Sequence, residues 1–416
     1  MHYLILVVIL FMPGALYAQA QPIDLPRALQ LTLSGNPELA AYPFRKNQSE
    51  ALRLQAGLRP QPQIGLALEN AFGSGFYEGT DFSETTLTLS QVIELGGKRD
   101  LRLTMAEAQA HGLEAEYELA RLDVLAETSR RYYELLRLQD LQALVARLLE
   151  RERLAVEAIG ERVQAGRAAQ VDASLLELRL VQSEALAEQL QLAHRSARLQ
   201  LAAMWLSPPD FERAAGSLAI PPGLPTEAQV LAALESAPQL LQALSLVRIS
   251  DAEMKLVEAE GRPDLTVDFG VRHLEDTSDQ ALVMGVSMPL SFKNPNRGRV
   301  QALAQQRALN QQQADVTQRE LQLRLLDMRL QFENLYREAI TIEERVMPRA
   351  LALLEHSRSA YRDGGYTVLD WADAQVEHYV VERDLIELKY AALLQLLELE
   401  RITGLPMTAT TACEGC

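Results

Sequence analysis

The chain has 416 residues, 48% hydrophobic, 6% aromatic and 23% charged, a balance that excludes wholesale disorder. Lys and Arg number 40 against 56 Asp and Glu, a net charge of −16, which argues against nucleic acid as a partner because phosphate contacts need a basic face. Two cysteines cannot build a disulfide scaffold, and past the N-terminus no stretch of about 18 apolar residues offers a membrane-spanning helix. What remains is a soluble helical protein, or one that enters a membrane by strands.

Leu4 to Met12 is an unbroken apolar run, followed by Pro13, Gly14 and the small-residue site Ala18-Gln19-Ala20. Residues 1–20 therefore read as a cleaved secretory signal, although Met1, His2 and Tyr3 supply no Lys or Arg; a buried N-terminal helix is the alternative. The mature protein is expected to be exported.

Beyond it the chain says the same thing twice. Arg59-Pro60 precedes an alternating run from Gln63 to Glu69, a gap, a second run from Thr85 to Val92, and then Gly96-Gly97-Lys98-Arg99. Arg262-Pro263, 203 residues later, precedes Leu265 to Val271, a gap, Leu282 to Met288, and then Asn296-Arg297-Gly298-Arg299. Gly166 stands six residues before Asp172, and Gly364 six before Asp370. This predicts a tandem duplication: residues 21–206 and 226–405 as repeats, 207–225 as a linker with five prolines, and 406–416 as a tail.

Long helices are predicted after each strand pair. Leu101 to Ile159 has only Gly112 as a breaker, and Val300 to Met347 has neither Gly nor Pro. An unbroken helix of about 60 residues would extend roughly 90 Å. The stripe positions recur every three or four residues, as at Leu122, Leu125, Ser129, Tyr132 and Leu136, so the stripe wants partner helices, although a self-contained coiled coil shares the pattern. Shorter helices are expected over 24–58, 167–205, 226–260 and 366–403.

The strand runs alternate apolar and polar residues with a period of two, as Ile64, Leu66 and Leu68 do against Gly65 and Ala67. Val283 makes the fourth run less clean. Such runs suit strands between lipid and a wet lumen; a soluble sheet packed on the helices is the alternative. Four strands cannot close a barrel, and an open edge cannot sit in hydrocarbon, so membrane strands would have to be shared between chains. Three chains would supply twelve, within the range of known barrels.

With the hairpin exits Leu95-Gly96-Gly97-Lys98-Arg99 and Asn296-Arg297-Gly298-Arg299, and the turns Arg162 to Gly166 and Tyr361 to Gly365, the sequence resembles the TolC-like outer-membrane efflux family, most closely its heavy-metal (CzcC/CusC-like) subgroup. That resemblance implies a mainly α fold with a membrane β part. Long helical hairpins would form a periplasmic α-barrel, and four strands per chain would join a shared twelve-stranded barrel in the outer membrane. It implies a homotrimer, a periplasmic adaptor and, through it, an inner-membrane RND pump. Export of organic drugs or peptides through the same duct is one rival reading, and a periplasmic coiled-coil scaffold without a pore is another.

The resemblance also places the turns at the periplasmic tip. Asp370 and Asp373, three apart on one helical face, and Asp172 would then ring a constriction with carboxylates, a device for cation selectivity. Capping of the returning helices is the alternative role for them. Adaptor docking would use Arg162, Gln164, Ala165, Gly166, Arg167, Arg362, Gly364, Gly365, Tyr366 and Thr367, although a solvated helix end looks similar. Phe72, Phe76, Tyr77 and Phe82 would either belong to an aromatic girdle or pack within their loop. His111, His194, His273, His356 and His378 show no ligand spacing and read as isolated surface histidines; Cys413 and Cys416 are weak metal candidates. No catalytic motif and no cofactor site is found, as befits a passive conduit.

Overall fold

The computed structural model describes residues 21–221, 226–290 and 293–405. The expected signal sequence, linker residues 222–225, and Cys413 and Cys416 lie outside the described residues. The chain opens with α1 (Leu25–Gly35), α2 (Pro37–Ala40) and α3 (Tyr42–Ala56). The expected run over 24–58 is divided here because Asn36 caps α2. Its Oδ1 accepts from the amides of Glu38 (3.0 Å) and Leu39 (3.4 Å), and Pro residues begin both α2 and α3. Strands β1 (Gln63–Glu69) and β2 (Glu84–Ile93) follow, then α4 (Lys98–Gln164), α5 (Gln170–Ala202), α6 (Glu227–Ala233) and α7 (Pro238–Glu260). The second half repeats the pattern with β3 (Leu265–Leu274), β4 (Gln280–Ser287), α8 (Arg297–Thr341), α9 (Met347–Arg362) and α10 (Val368–Thr403).

Two departures from expectation have local causes. Residues 227–260 are long and apolar enough to pass for a membrane helix by composition. A 3₁₀ turn at Leu234–Ser236 and Pro238 break them, and Val230, Ala233, Leu234 and Leu240 are buried in protein. The second long helix does not run straight to Met347; α8 passes into a π turn at Ile342–Val346. Pro348 is the cause: its ring and missing N–H disturb the carbonyl four residues earlier, inside that turn.

The four strands form one antiparallel sheet in sequence order, β1-β2-β3-β4. The register pairs Leu66 with Leu87, Leu87 with Val271, and Val271 with Leu282, so the apolar residues of all four strands share one face. That face is bare: Ile64 is 78% exposed, Leu66 73% and Leu282 84%. A soluble sheet packed on the helices is thereby excluded. The other face is a polar network. Ser90 donates to Asp268, and Arg272 reaches Thr86 (3.1 Å), Glu84 and Glu69 (3.1 Å). Val283 falls on this second face beside Gly270, which explains why its run alternates poorly. In the β1–β2 loop Phe76 and Phe82 meet edge to face at 5.9 Å, while Phe72 and Tyr77 are exposed.

The chain forms two compact units that cut across the sequence repeats. One holds Leu33–Glu127, Pro221–Leu335 and the chain from Leu394, and so contains the sheet. In it the helices lie side by side in the order of the strands that they adjoin. Arg45 pairs with Glu116 (2.8 Å) between α3 and α4, and Gly112 of α4 lies against Ser245 and Ile249 of α7. Asn310 of α8 donates to Ser250 of α7 (2.7 Å). The strand-to-helix corner after β2 turns on Gly96 and Gly97, both at positive φ, and Lys98 locks it by donating to the Arg262 carbonyl and Asp264, each at 2.7 Å.

The other unit holds the N-terminal segment to Thr32, Thr128–Ile220 and Tyr336–Leu393. There Ile23 bridges to Ala214, Gln139 exchanges hydrogen bonds with Ala214 (3.1 and 2.7 Å), and Phe211 is buried, so the start of the linker is pinned to α4. In the sheet, a Cβ on Gly270 would lie 2.6 Å from the Leu87 carbonyl oxygen. Gly270→Val is therefore expected to part β2 from β3 at a cost of about 1–3 kcal/mol, measurable by urea unfolding followed by circular dichroism.

Candidate functional site

The two helical turns of the second unit are built alike. Gly166 adopts φ +70°, the Arg167 amide donates to the Arg162 carbonyl (2.7 Å) and the Gly166 amide to that of Val163 (3.0 Å). Gly364 adopts φ +78°, the Gly365 amide donates to the Ala360 carbonyl (2.9 Å) and the Gly364 amide to that of Tyr361 (3.2 Å). Each is a Schellman-type stop, in which one left-handed glycine satisfies the last carbonyls and releases the chain to fold back. Gly365 has no such φ; only its neighbour is required by the turn.

The two hairpins pack on each other just behind these turns. Ala155 and Ile159 of α4, Ala173 and Leu176 of α5, and Val368 and Ala372 of α10 form one buried cluster, flanked by Tyr361 and Trp371. Tyr361 and Trp371 stack at 5.4 Å with 10° between their planes, and the Arg162 guanidinium lies 4.4 Å from the Tyr361 ring centroid. Arg162 is thus held by the second hairpin. Gln164, Ala165, Gly166, Arg167, Arg362, Gly364, Gly365, Tyr366 and Thr367 are exposed.

The aspartates occupy distinct situations. Asp370 closes a reciprocal cap with Thr367: its Oδ2 accepts from the Thr367 amide (2.8 Å) and hydroxyl (2.7 Å), and its own amide donates to Thr367 Oγ1 (3.1 Å). Those bonds hold the Asp370 carboxyl below the usual carboxylate range. Asp373 accepts from Arg179 of α5 at 2.8 Å, a link between the hairpins, and Asp172 sits half-exposed in the first turn of α5.

Above the apolar cluster lies a polar layer that sequence reasoning missed. Gln375 is 1% exposed, and His378 is buried rather than on the surface as expected. His378 Nδ1 stands 3.4 Å from Glu382 Oε2 without forming a hydrogen bond, while Glu382 Oε1 accepts from Arg147 (2.8 Å). The signal was available in spacing: Gln375 and His378 fall where the stripe of Val368 and Ala372 next calls for apolar residues. Among the described residues no cluster of His, Cys, Asp and Glu could hold a metal ion.

Over residues 28–205 and 230–405 the sequence matches the family described as outer membrane efflux protein. The chain belongs to this family. It is similar to two curated proteins of Cupriavidus metallidurans. One is the cobalt-zinc-cadmium resistance protein CzcC, 25% identical over 86% of this chain and 84% of that one. The other is the nickel and cobalt resistance protein CnrC, 26% identical over 73% and 72%. Among solved structures, the outer membrane protein VceC of Vibrio cholerae superposes with a TM-score of 0.74 at 20% identity, covering 92% of this chain and 96% of that one. The chain is therefore an outer-membrane efflux channel protein and not an enzyme, with its sheet as the membrane part and its helices in the periplasm.

Burial keeps the His378 imidazole below its ordinary value of 6.5, ahead of the opposing influence of Glu382. A depressed base binds fewer protons folded than unfolded, so its contribution is complete above about pH 6.5 and is lost as the pH falls below it. The hairpin region is expected to loosen as the pH falls below about 6.5, and His378→Phe to flatten that dependence, as read by hydrogen exchange of the α10 amides.

Proposed function

We propose that this protein is the exit duct of a tripartite efflux system, a homotrimer that passes heavy-metal cations delivered by an inner-membrane RND pump through a periplasmic adaptor. The observation that carries the duct is the bare apolar sheet with a free outer edge on β1 and on β4. Neither edge can face hydrocarbon with its amides and carbonyls unpaired, so β1 of one copy must pair with β4 of the next. The helices repeat this pattern. α3, which precedes β1, and the turn after it expose Phe44, Ala51 and Leu58, and α8, which follows β4, exposes Leu309, Val316, Leu323 and Leu330. Both stripes have the seven-residue spacing of supercoiled helix pairs, suited to a second copy of the chain. Three copies give the twelve strands of an even-numbered barrel.

Cation cargo draws support from the names of CzcC and CnrC and from the acidic turns. In a trimer Asp370 and Asp373 would present six carboxylates at one end of the tunnel, with Asp172 nearby, favouring cations over anions. At rest the Asp373–Arg179 pair ties α10 to α5. The exposed turn residues Gln164, Ala165, Arg167, Arg362, Tyr366 and Thr367 are the surface offered to an adaptor, whose contact shifts the hairpins towards an open state.

A strain lacking the protein should become sensitive to zinc, cobalt, cadmium or nickel and recover on complementation; sensitivity to dyes and antibiotics alone would overturn the metal assignment. Asp370→Ala with Asp373→Ala should leave trimers intact, raise resting leak and reduce cation selectivity in planar bilayers. Unchanged conductance and selectivity would sink the gate assignment.

A further inference from the structure

Buried polar side-chain atoms without a hydrogen-bond partner concentrate in one place. Of those found among the described residues, Glu152 Oε2, both amide atoms of Gln375, His378 Nδ1 and Glu382 Oε2 belong to facing stretches of α4 and α10. Glu152 follows the apolar cluster one turn back along α4 from Ala155, and Gln375 lies one turn on along α10 from Ala372. α4 runs into its turn and α10 runs out of its own, so both steps lead to the same level behind the cluster. A contact agrees with that register. Arg147 of α4 donates to Glu382 of α10 at 2.8 Å.

A buried amide that bonds to nothing forfeits its hydration, and a packed layer containing several such groups is far less stable than an apolar layer of the same shape. Gln375 is the clearest case, fully covered with neither its donor nor its acceptor met. Separation of α10 from α4 would return these atoms to water.

We propose that this layer is a built-in release element: it keeps the packing of the second hairpin shallow, so that a modest contact at the exposed turn frees α10. Gln375 is then a positioning residue for the conformational change. It touches neither cargo nor partner, and its unmet amide sets how readily the hairpin leaves. The inference rests on the reading of these turns as the resting closure of the duct.

The test is Gln375→Met in the full-length trimer, a change that keeps side-chain length and removes both polar atoms. Gln375→Leu repeats it with a different shape. Two readouts are taken: hydrogen exchange of residues 366–382, and conductance in planar bilayers. About ten-fold slower exchange with lower resting conductance is expected, since meeting or deleting an unsatisfied buried group is worth roughly that factor. Unchanged or faster exchange in both variants overturns the proposal. So does loss of trimers in both, because the amide would then be making bonds that the fold requires. Slower exchange with unaltered conductance supports the release element and counts instead against these turns as the gate.

Discussion

An unpaired peptide edge cannot rest in hydrocarbon, and the rest of this architecture follows from that constraint. A sheet of four strands, apolar on one face and wired with Arg272, Glu84 and Asp268 on the other, has no stable existence alone in a bilayer. Closure has to come from other copies, and the helices beside the edge strands are patterned for the same neighbours. The seven-residue stripes beside the two edge strands, Phe44, Ala51 and Leu58 at one and Leu323 and Leu330 at the other, are exposed like those edges, so strand edges and helix faces invite one solution.

The corner between sheet and helix is where the two patterns are kept in phase. Two left-handed glycines make the turn, and Lys98 then ties the first repeat to the opening of the second through Arg262 and Asp264. A largely buried ammonium held by a carboxylate and a carbonyl is specific in direction as well as charge. The Gly-Gly-Lys-Arg motif therefore fixes how the duplicated halves meet, a role that belongs to the backbone rather than to any chemistry on cargo.

Much of this was legible in the sequence because duplication and period-two alternation are properties of the chain itself. The four strands, the long helices and both glycine turns stand where the residues placed them. What stayed hidden depends on contacts between distant segments. Nothing local tells that Arg162 is held over the Tyr361 ring, that Asp373 is matched by Arg179, or that His378 is buried. The capping role of Asp370 was one of two readings left open, and Thr367 three residues before it was the clue. The π turn was not legible within Val300 to Met347, which holds no Gly or Pro, because Pro348 just beyond acts on the carbonyl four residues before it.

That π turn also separates the two repeats in kind. α4 runs 67 residues without interruption, whereas its duplicate is divided between α8 and α9 by a wider, less regular turn. Duplication would by itself give a ring of three chains nearly sixfold symmetry, with equivalent struts all round. Pro348 and its π turn occur in one repeat only, so they would mark every second strut. A ring of three such chains would therefore alternate uninterrupted helices with helices that carry a π turn, and its repeat would be threefold where the duplication alone would make it sixfold.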